Sequence, residues 1–228
     1  MITTNVYQRV FQIKVNNATG TCFTIDIDGR QYIITARHII DGWEPINKIL
    51  IFHENQWKEI ELSLVGRCDG KIDIAVLSAP VQLSPIFDLP ATAGGIIWGQ
   101  DVYFLGFPYG WYGDIGEMNR NFPMPFVKKA ILSCTYFQDG VHHLFLDGHN
   151  NPGFSGGPVV FTEPKRRNEF KIASVISGYR YTNEPIFSGE TQIPSAAYRY
   201  NTGIIVSYSI KHAVDLIKTN PIGLPIKL

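Results

Sequence analysis

Cysteine is scarce in this chain. Cys22, Cys68 and Cys134 are three in 228 residues, an odd number, widely spread. That excludes a scaffold built on disulfides and points to a reducing, cytoplasmic setting. An excess of charge of one sign is also missing. Lys+Arg and Asp+Glu stand at 20 each, giving zero formal net charge, which removes the electrostatic basis for binding nucleic acid or an anionic membrane. No apolar run approaches the ~20 residues that a membrane span needs. The opening MITTNVYQRV has neither a basic start nor a continuous apolar core, so it does not read as a secretory signal.

What is present is a globular composition, 45% hydrophobic and 18% charged. The length suits one large β domain or two small lobes around a shared cleft. Short β-type runs dominate. Residues 23–27 alternate apolar and polar side chains, Asp28-Gly29 supplies a two-residue hairpin turn, and 31–35 returns. Further strands are expected at 6–15, 49–53, 57–65, 74–78, 101–107, 127–136, 141–146, 157–161, 172–179 and 203–206, with Gly, Pro and Asn between them. The count fits two packed antiparallel barrels. One helix is expected after Ser207 or Ser209, with Ile210, Ala213, Val214 and Ile217 on one face and Asn220-Pro221 as its stop. We read a single domain over 1–228: a first barrel over about 5–80, a Pro/Gly-broken linker over about 80–99, and a second barrel with its helix over about 100–220.

The chemistry centres on Asn151-Pro152-Gly153-Phe154-Ser155-Gly156-Gly157-Pro158. Glycines around a serine permit unusual backbone dihedrals and the close approach of a substrate carbonyl. The N–H groups of Gly153 and Ser155 can converge on one point and hold an oxyanion. Upstream, the apolar run from Tyr32 leads into His38, and Asp73 is embedded in Ile72-Asp73-Ile74-Ala75-Val76-Leu77. A carboxylate in such surroundings needs a donor. An imidazole Nδ1–H is one, and that pairing turns Nε2 toward a serine hydroxyl. His142 and His143 do not suggest a metal, because adjacent strand residues face opposite ways.

These segments, in this order, resemble a trypsin-like (chymotrypsin-fold) serine protease, most nearly the bacterial high-temperature-requirement branch. The matching pieces are Thr19 to Phe23 with Ile34 to His38, then Asp73 to Leu77, Leu105 to Gly110, Asp147 to Pro158, and Asn201 to Ser207. The resemblance implies an all-β fold of two six-stranded antiparallel β-barrels with a C-terminal α-helix. It also implies a serine endopeptidase acting on protein or peptide substrates, with catalytic His38, Asp73 and Ser155 and an oxyanion hole from the Gly153, Phe154 and Ser155 amides. Neither a metal nor another cofactor is needed. Ile39 stands where secreted members carry a cysteine after the catalytic histidine, in keeping with the reducing setting.

The same likeness sets His149, Asn150 and Asn151 along a wall and the base of the specificity pocket, and Ser177, Gly178 and Tyr179 on the strand that pairs with substrate. His149 occupies the place of trypsin's acidic residue, so cleavage after Lys or Arg is not expected. A neutral imidazole suits an apolar or polar residue and a protonated one an acidic residue, and the two stay open. Phe154 replaces the aspartate that captures a new N-terminus in trypsin-type zymogens, so control falls to loop ordering, self-association or an activating partner. The segments 111–125 and 180–201 are read as long loops that shape or gate the cleft. No residues remain for an appended PDZ module, which favours a regulated protease of narrow targets in a bacterial system. The rival expectation is a catalytically silent protease-fold module for binding or scaffolding, or a protease active only when a partner triggers it. An esterase is disfavoured, because a strand rather than a helix follows Gly157.

Overall fold

The computed structural model describes residues 1–42, 48–119, 121–164, 166 and 168–226. A single turn of helix, α1 (Thr4–Tyr7), precedes the first lobe, where a strand from residue 6 is expected. Strands β1 (Val10–Val15), β2 (Ala18–Ile27), β3 (Arg30–Thr35), β4 (Lys48–His53), β5 (Gln56–Glu61), β6 (Ser63–Arg67) and β7 (Ala75–Ser78) follow. They lie antiparallel in the order β5-β4-β1-β2-β3-β7-β6, and β14 (Leu224–Pro225), from near the end of the sequence, adds to β3. The β2–β3 hairpin turns on Asp28 and Gly29, both at positive φ (49° and 70°), the conformation that fits the twist of a two-residue hairpin.

The second lobe is a closed six-stranded barrel. It consists of β8 (Asp101–Gly106), β9 (Phe126–Gln138), β10 (Val141–Asp147), β11 (Pro158–Thr162), β12 (Phe170–Ser188) and β13 (Thr191–Ser209), in the order β10-β13-β12-β11-β8-β9. The all-β, two-lobed expectation therefore holds. The first lobe carries eight strands among the described residues rather than six.

Helix α2 (Lys211–Thr219) closes the molecule. Ser209 Oγ accepts the Lys211 N–H at 3.3 Å, and Ile210, Ala213 and Ile217 are buried, as the apolar spacing requires. The helix belongs to the second lobe but seals the first. Leu216 packs over Gly66 of β6, and Asn220 Nδ2 donates to the Val65 carbonyl at 2.8 Å. One apolar cluster runs across both lobes, from Phe23, Ile34 and Val76 to Leu105, Val175 and Ile217. Each such side chain contributes about 1.5–3 kcal/mol on burial, so the two lobes are held together by one continuous apolar packing.

The linking segment 79–100 has no regular strand but is buckled to the first lobe by polar groups. Ser84, buried, shares a hydrogen bond with Thr24 Oγ1, and Gln31 Nε2 donates to the Ser84 carbonyl at 3.2 Å. Arg9 donates to both Asp26 and the Phe87 carbonyl at 2.6 Å.

One expectation is overturned outright. Residues 180–201 are not a loop but the outer half of the β12–β13 ribbon, paired from Tyr181↔Asn201 to Ser188↔Thr191 around a turn at Gly189. The ribbon projects beyond the barrel with Tyr181, Phe187, Tyr198 and Tyr200 exposed. The described residues of 111–125 do lack strands, but they are strapped onto the first lobe. Gly113 and Met124 bridge each other, Tyr112 packs on Phe52 at 4.9 Å, and Phe122 packs on Phe11 at 5.8 Å. No helix among the described residues is long and apolar enough to cross a membrane.

Candidate active site

His38 lies three residues past the end of β3, on a short 3₁₀ turn (Arg37–Ile39). Asp73 lies just before β7 rather than within a strand, on a loop closed by the Cys68 N–H donating to the Ile74 carbonyl at 2.9 Å. Arg37 ties turn to loop through the Cys68 carbonyl, also at 2.9 Å. The two residues then meet doubly. Asp73 Oδ1 accepts the His38 backbone N–H at 2.9 Å, and Oδ2 lies 2.7 Å from His38 Nδ1. Ser177 Oγ donates to the same Oδ2 at 2.6 Å.

Ser177 reaches Asp73 because of a bulge. Ile176 pairs with Ser207 and Gly178 with Val206, leaving Ser177 as the extra residue of β12. Such an insertion re-aims a side chain. The hydroxyl of Ser177 is thus a functional group that the strand assignment alone could not reveal.

Burial acts to raise the Asp73 carboxyl pKa. The His38 hydrogen bond and charge, with the donors from Ser177 and the His38 amide, outweigh it and hold the group below its ordinary value. The hydrogen bond to Asp73 raises the His38 pKa against desolvation, with help from the charges of Asp73 and Asp41. The imidazole is half exposed, whereas Asp73 is largely covered.

The serine turn comes from the second lobe and is built by steric exclusion. Gly153 has φ +104°, and a Cβ there would sit 2.2 Å from the Phe107 carbonyl oxygen. Gly156 has φ +82°, and its Cβ would sit 2.1 Å from the Thr21 carbonyl oxygen. Neither position admits a side chain. The turn is also sewn to the first lobe. The Thr21 N–H donates to the Ser155 carbonyl at 2.9 Å, and Thr21 Oγ1 donates to the Gly153 carbonyl at 2.7 Å. Phe154 is fully buried in the second barrel, edge-on to Phe104 at 4.9 Å.

Ser155 Oγ donates to the Ser177 carbonyl at 2.9 Å. Among the described residues no hydrogen bond joins it to His38. The Phe154 N–H is directed to the Asn151 carbonyl at 3.4 Å. Of the three amides expected at an oxyanion hole, this leaves Gly153 and Ser155 without an acceptor among the described residues.

The expected pocket residues are adjacent to this turn. Asn150 is buried, its side chain accepting the Asn151 N–H and its carbonyl accepting from Asn201 Nδ2, both at 2.8 Å. His149 is exposed. Asn151 Nδ2 donates to the Tyr109 hydroxyl at 3.3 Å. On β12, pairing with the β11 side ends at Ile176, so Gly178 and Tyr179 present an open backbone edge among the described residues, while the Ser177 carbonyl is taken by Ser155 Oγ. Lys128 of β9, which sequence reasoning missed, donates to the His149 carbonyl and, at 2.8 Å, to Asn151 Oδ1.

A two-lobed β fold with a His–Asp pair on one lobe and a glycine-framed serine on the other defines the chymotrypsin-fold class of serine peptidases. The chain belongs to the trypsin-like peptidase domain family, whose model matches residues 20–164. No curated protein sequence matches the chain. Solved structures do. The HtrA-type protease AlgW with a tripeptide is similar at TM-score 0.58 and 22% identity, over 95% of this chain and 61% of its own. The serine endoprotease from Yersinia pestis gives 0.60 and 20%, over 94% and 63%. Rv3671c from M. tuberculosis H37Rv, in an inactive form, gives 0.58 and 17%, over 97% and 91%. At these identities the likeness is one of fold, and the chain spans about three-fifths of the HtrA-type chains it matches.

Proposed function

We propose that the chain is a serine endopeptidase in which Ser155 attacks a peptide carbonyl, His38 takes its proton and passes it to the leaving amine, and Asp73 fixes the imidazole. The observation that carries this reading is the double engagement of Asp73 with His38 beside a serine on a turn that tolerates only glycine at Gly153 and Gly156. His38 Nδ1–H bound to Asp73 leaves Nε2 as the base. The Gly153 and Ser155 amides would receive the oxyanion, and the loss of one such donor costs ~100- to 1,000-fold in rate. A peptide laid along Ser177, Gly178 and Tyr179 would add a strand to the open edge, with its side chain before the scissile bond against His149, Asn150 and Asn151. The three free cysteines support a reducing compartment.

The position of the Ser155 hydroxyl favours a second element. Bonded to the Ser177 carbonyl, it must turn about χ1 to meet His38. This supports a resting protease that substrate or a partner aligns.

Labelling with a fluorophosphonate probe tests the reading. Wild-type protein should label, and Ser155→Ala and His38→Ala should not. No labelling of wild type with candidate partners present would assign the fold to a silent binding module instead, and labelling retained in Ser155→Ala would place the reactive nucleophile elsewhere.

A further inference from the structure

The Ser155 turn is gripped from beneath by a cation. Lys128 of β9 stands directly opposite Phe104 of β8, so their side chains share one face of the barrel wall. Phe104 meets the Phe154 ring edge-on, and Lys128 Nζ lies 5.8 Å from the centre of that same ring. Phe154, the residue before the serine, is therefore clasped between a strand aromatic and an ammonium. The ammonium continues outward to the His149 carbonyl and to Asn151 Oδ1. Asn151 in turn reaches the Tyr109 hydroxyl, and the Tyr109 N–H donates to the Pro152 carbonyl at 2.8 Å. One amine thus touches three of the residues between 149 and 154.

Two features set Lys128 apart from an ordinary strand lysine. No carboxylate stands within ion-pair reach of it among the described residues, so its charge rests on two neutral oxygens and a ring. Burial also lowers its pKa, the mark of a charged form held at a cost. Lys129, the next residue, shows the usual alternative: it is exposed and paired with Asp101 at 2.8 Å.

We propose that Lys128 is a positioning residue whose ammonium, reaching in from β9, holds segment 149–151 and Phe154 so that the Gly153 and Ser155 amides keep their donor geometry. The proposal rests on the catalytic reading above. It predicts a larger effect on turnover than on binding, because the amides act on the oxyanion and not on the ground-state peptide, while the His149 and Asn151 contacts bear on the side-chain pocket.

The test compares wild type with Lys128→Met, Lys128→Arg and Lys128→Ala, the last with and without added propylammonium. Lys128→Met should lower kcat on the order of 10- to 100-fold while KM stays within about twofold. Its thermal midpoint should be unchanged or higher, since an unpaired charge has gone. Lys128→Arg should recover part of the rate. Propylammonium should accelerate Lys128→Ala saturably and leave Lys128→Met unaffected. Hydrogen exchange over 149–155 should quicken in Lys128→Met.

An unchanged kcat in Lys128→Met would overturn the proposal. So would a loss that follows unfolding and resists the amine. A raised KM, with unchanged kcat and the loss of a preference for acidic residues, would make Lys128 a pocket charge instead. If wild type neither labels nor cleaves, the catalytic reading fails separately. Exchange over 149–155 then still decides the tether, and an unchanged rate in Lys128→Met refutes it.

Discussion

The two halves of the candidate site are held in opposite ways. His38 and Asp73 are joined by polar attraction, with one carboxylate accepting three donors from two lobes. The Ser155 turn is held by the absence of room, with glycines pressed against the carbonyls of Phe107, Thr21 and Leu105. The first arrangement can be switched by protons. The second answers chiefly to added atoms, with the Thr21 and Lys128 hydrogen bonds as its polar ties. The site that joins them therefore has one side set mainly by protonation and one set mainly by steric fit.

Substitutions can break this contrast on either side. Asp73→Asn should have the largest effect, a fall in kcat of about 10⁴-fold, because the amide permits the wrong imidazole tautomer. The fold should survive, since the side chain keeps its shape. Steady-state peptide cleavage beside thermal unfolding checks both halves of that statement.

Gly156→Ala should act on the other side, where a Cβ would meet the Thr21 oxygen at 2.1 Å. We expect a loss of about 2–4 kcal/mol in stability from overpacking and a positive φ, with activity falling as the turn shifts. Chemical denaturation measures it. A Gly156→Ala protein as stable as wild type would show that the turn has slack.

The smallest effect should come from the β12–β13 ribbon. Replacing 182–200 with a two-residue turn should change stability by less than about 0.5 kcal/mol, as for other exposed sites. Turnover of short peptides should stay near wild type, while cleavage of folded proteins changes if the ribbon shapes access. Equal loss on both substrates would place the ribbon inside the basic machinery.

Much of this contrast was legible in the chain. Glycines around a serine, a histidine after an apolar strand and an aspartate in an apolar run each signal a local demand that does not depend on distant residues. What escaped were features that depend on register or on neighbours. The reach of Ser177 to Asp73 arises from a bulge, which no alternation pattern marks. Lys128 lies in the pair Lys128-Lys129, which reads as a solvated face until β9 is set against β8. The ribbon over 180–201 is exposed on both faces, so it lacks the apolar–polar alternation that identifies a half-buried strand, and Pro185, Gly189 and Pro194 read as loop punctuation. The turn of helix at Thr4–Tyr7 is too short to carry a period.

The sign of the pH dependence follows from the pair. His38 is raised above its ordinary 6.5 and stabilises the fold below that pH, losing its contribution as pH rises through the folded value. Asp73, held below its ordinary 3.8, loses its contribution as pH falls through its own folded value. In its proposed role as base, however, His38 must be neutral. The most direct test of the account is the rate of fluorophosphonate labelling as a function of pH, with the adduct mapped by mass spectrometry. We predict an adduct on Ser155 and an acid limb above 6.5 that moves to lower pH or vanishes in Asp73→Asn. An adduct elsewhere, or a limb at or below 6.5 that ignores Asp73→Asn, would contradict the coupling of Ser155 to the His38–Asp73 pair.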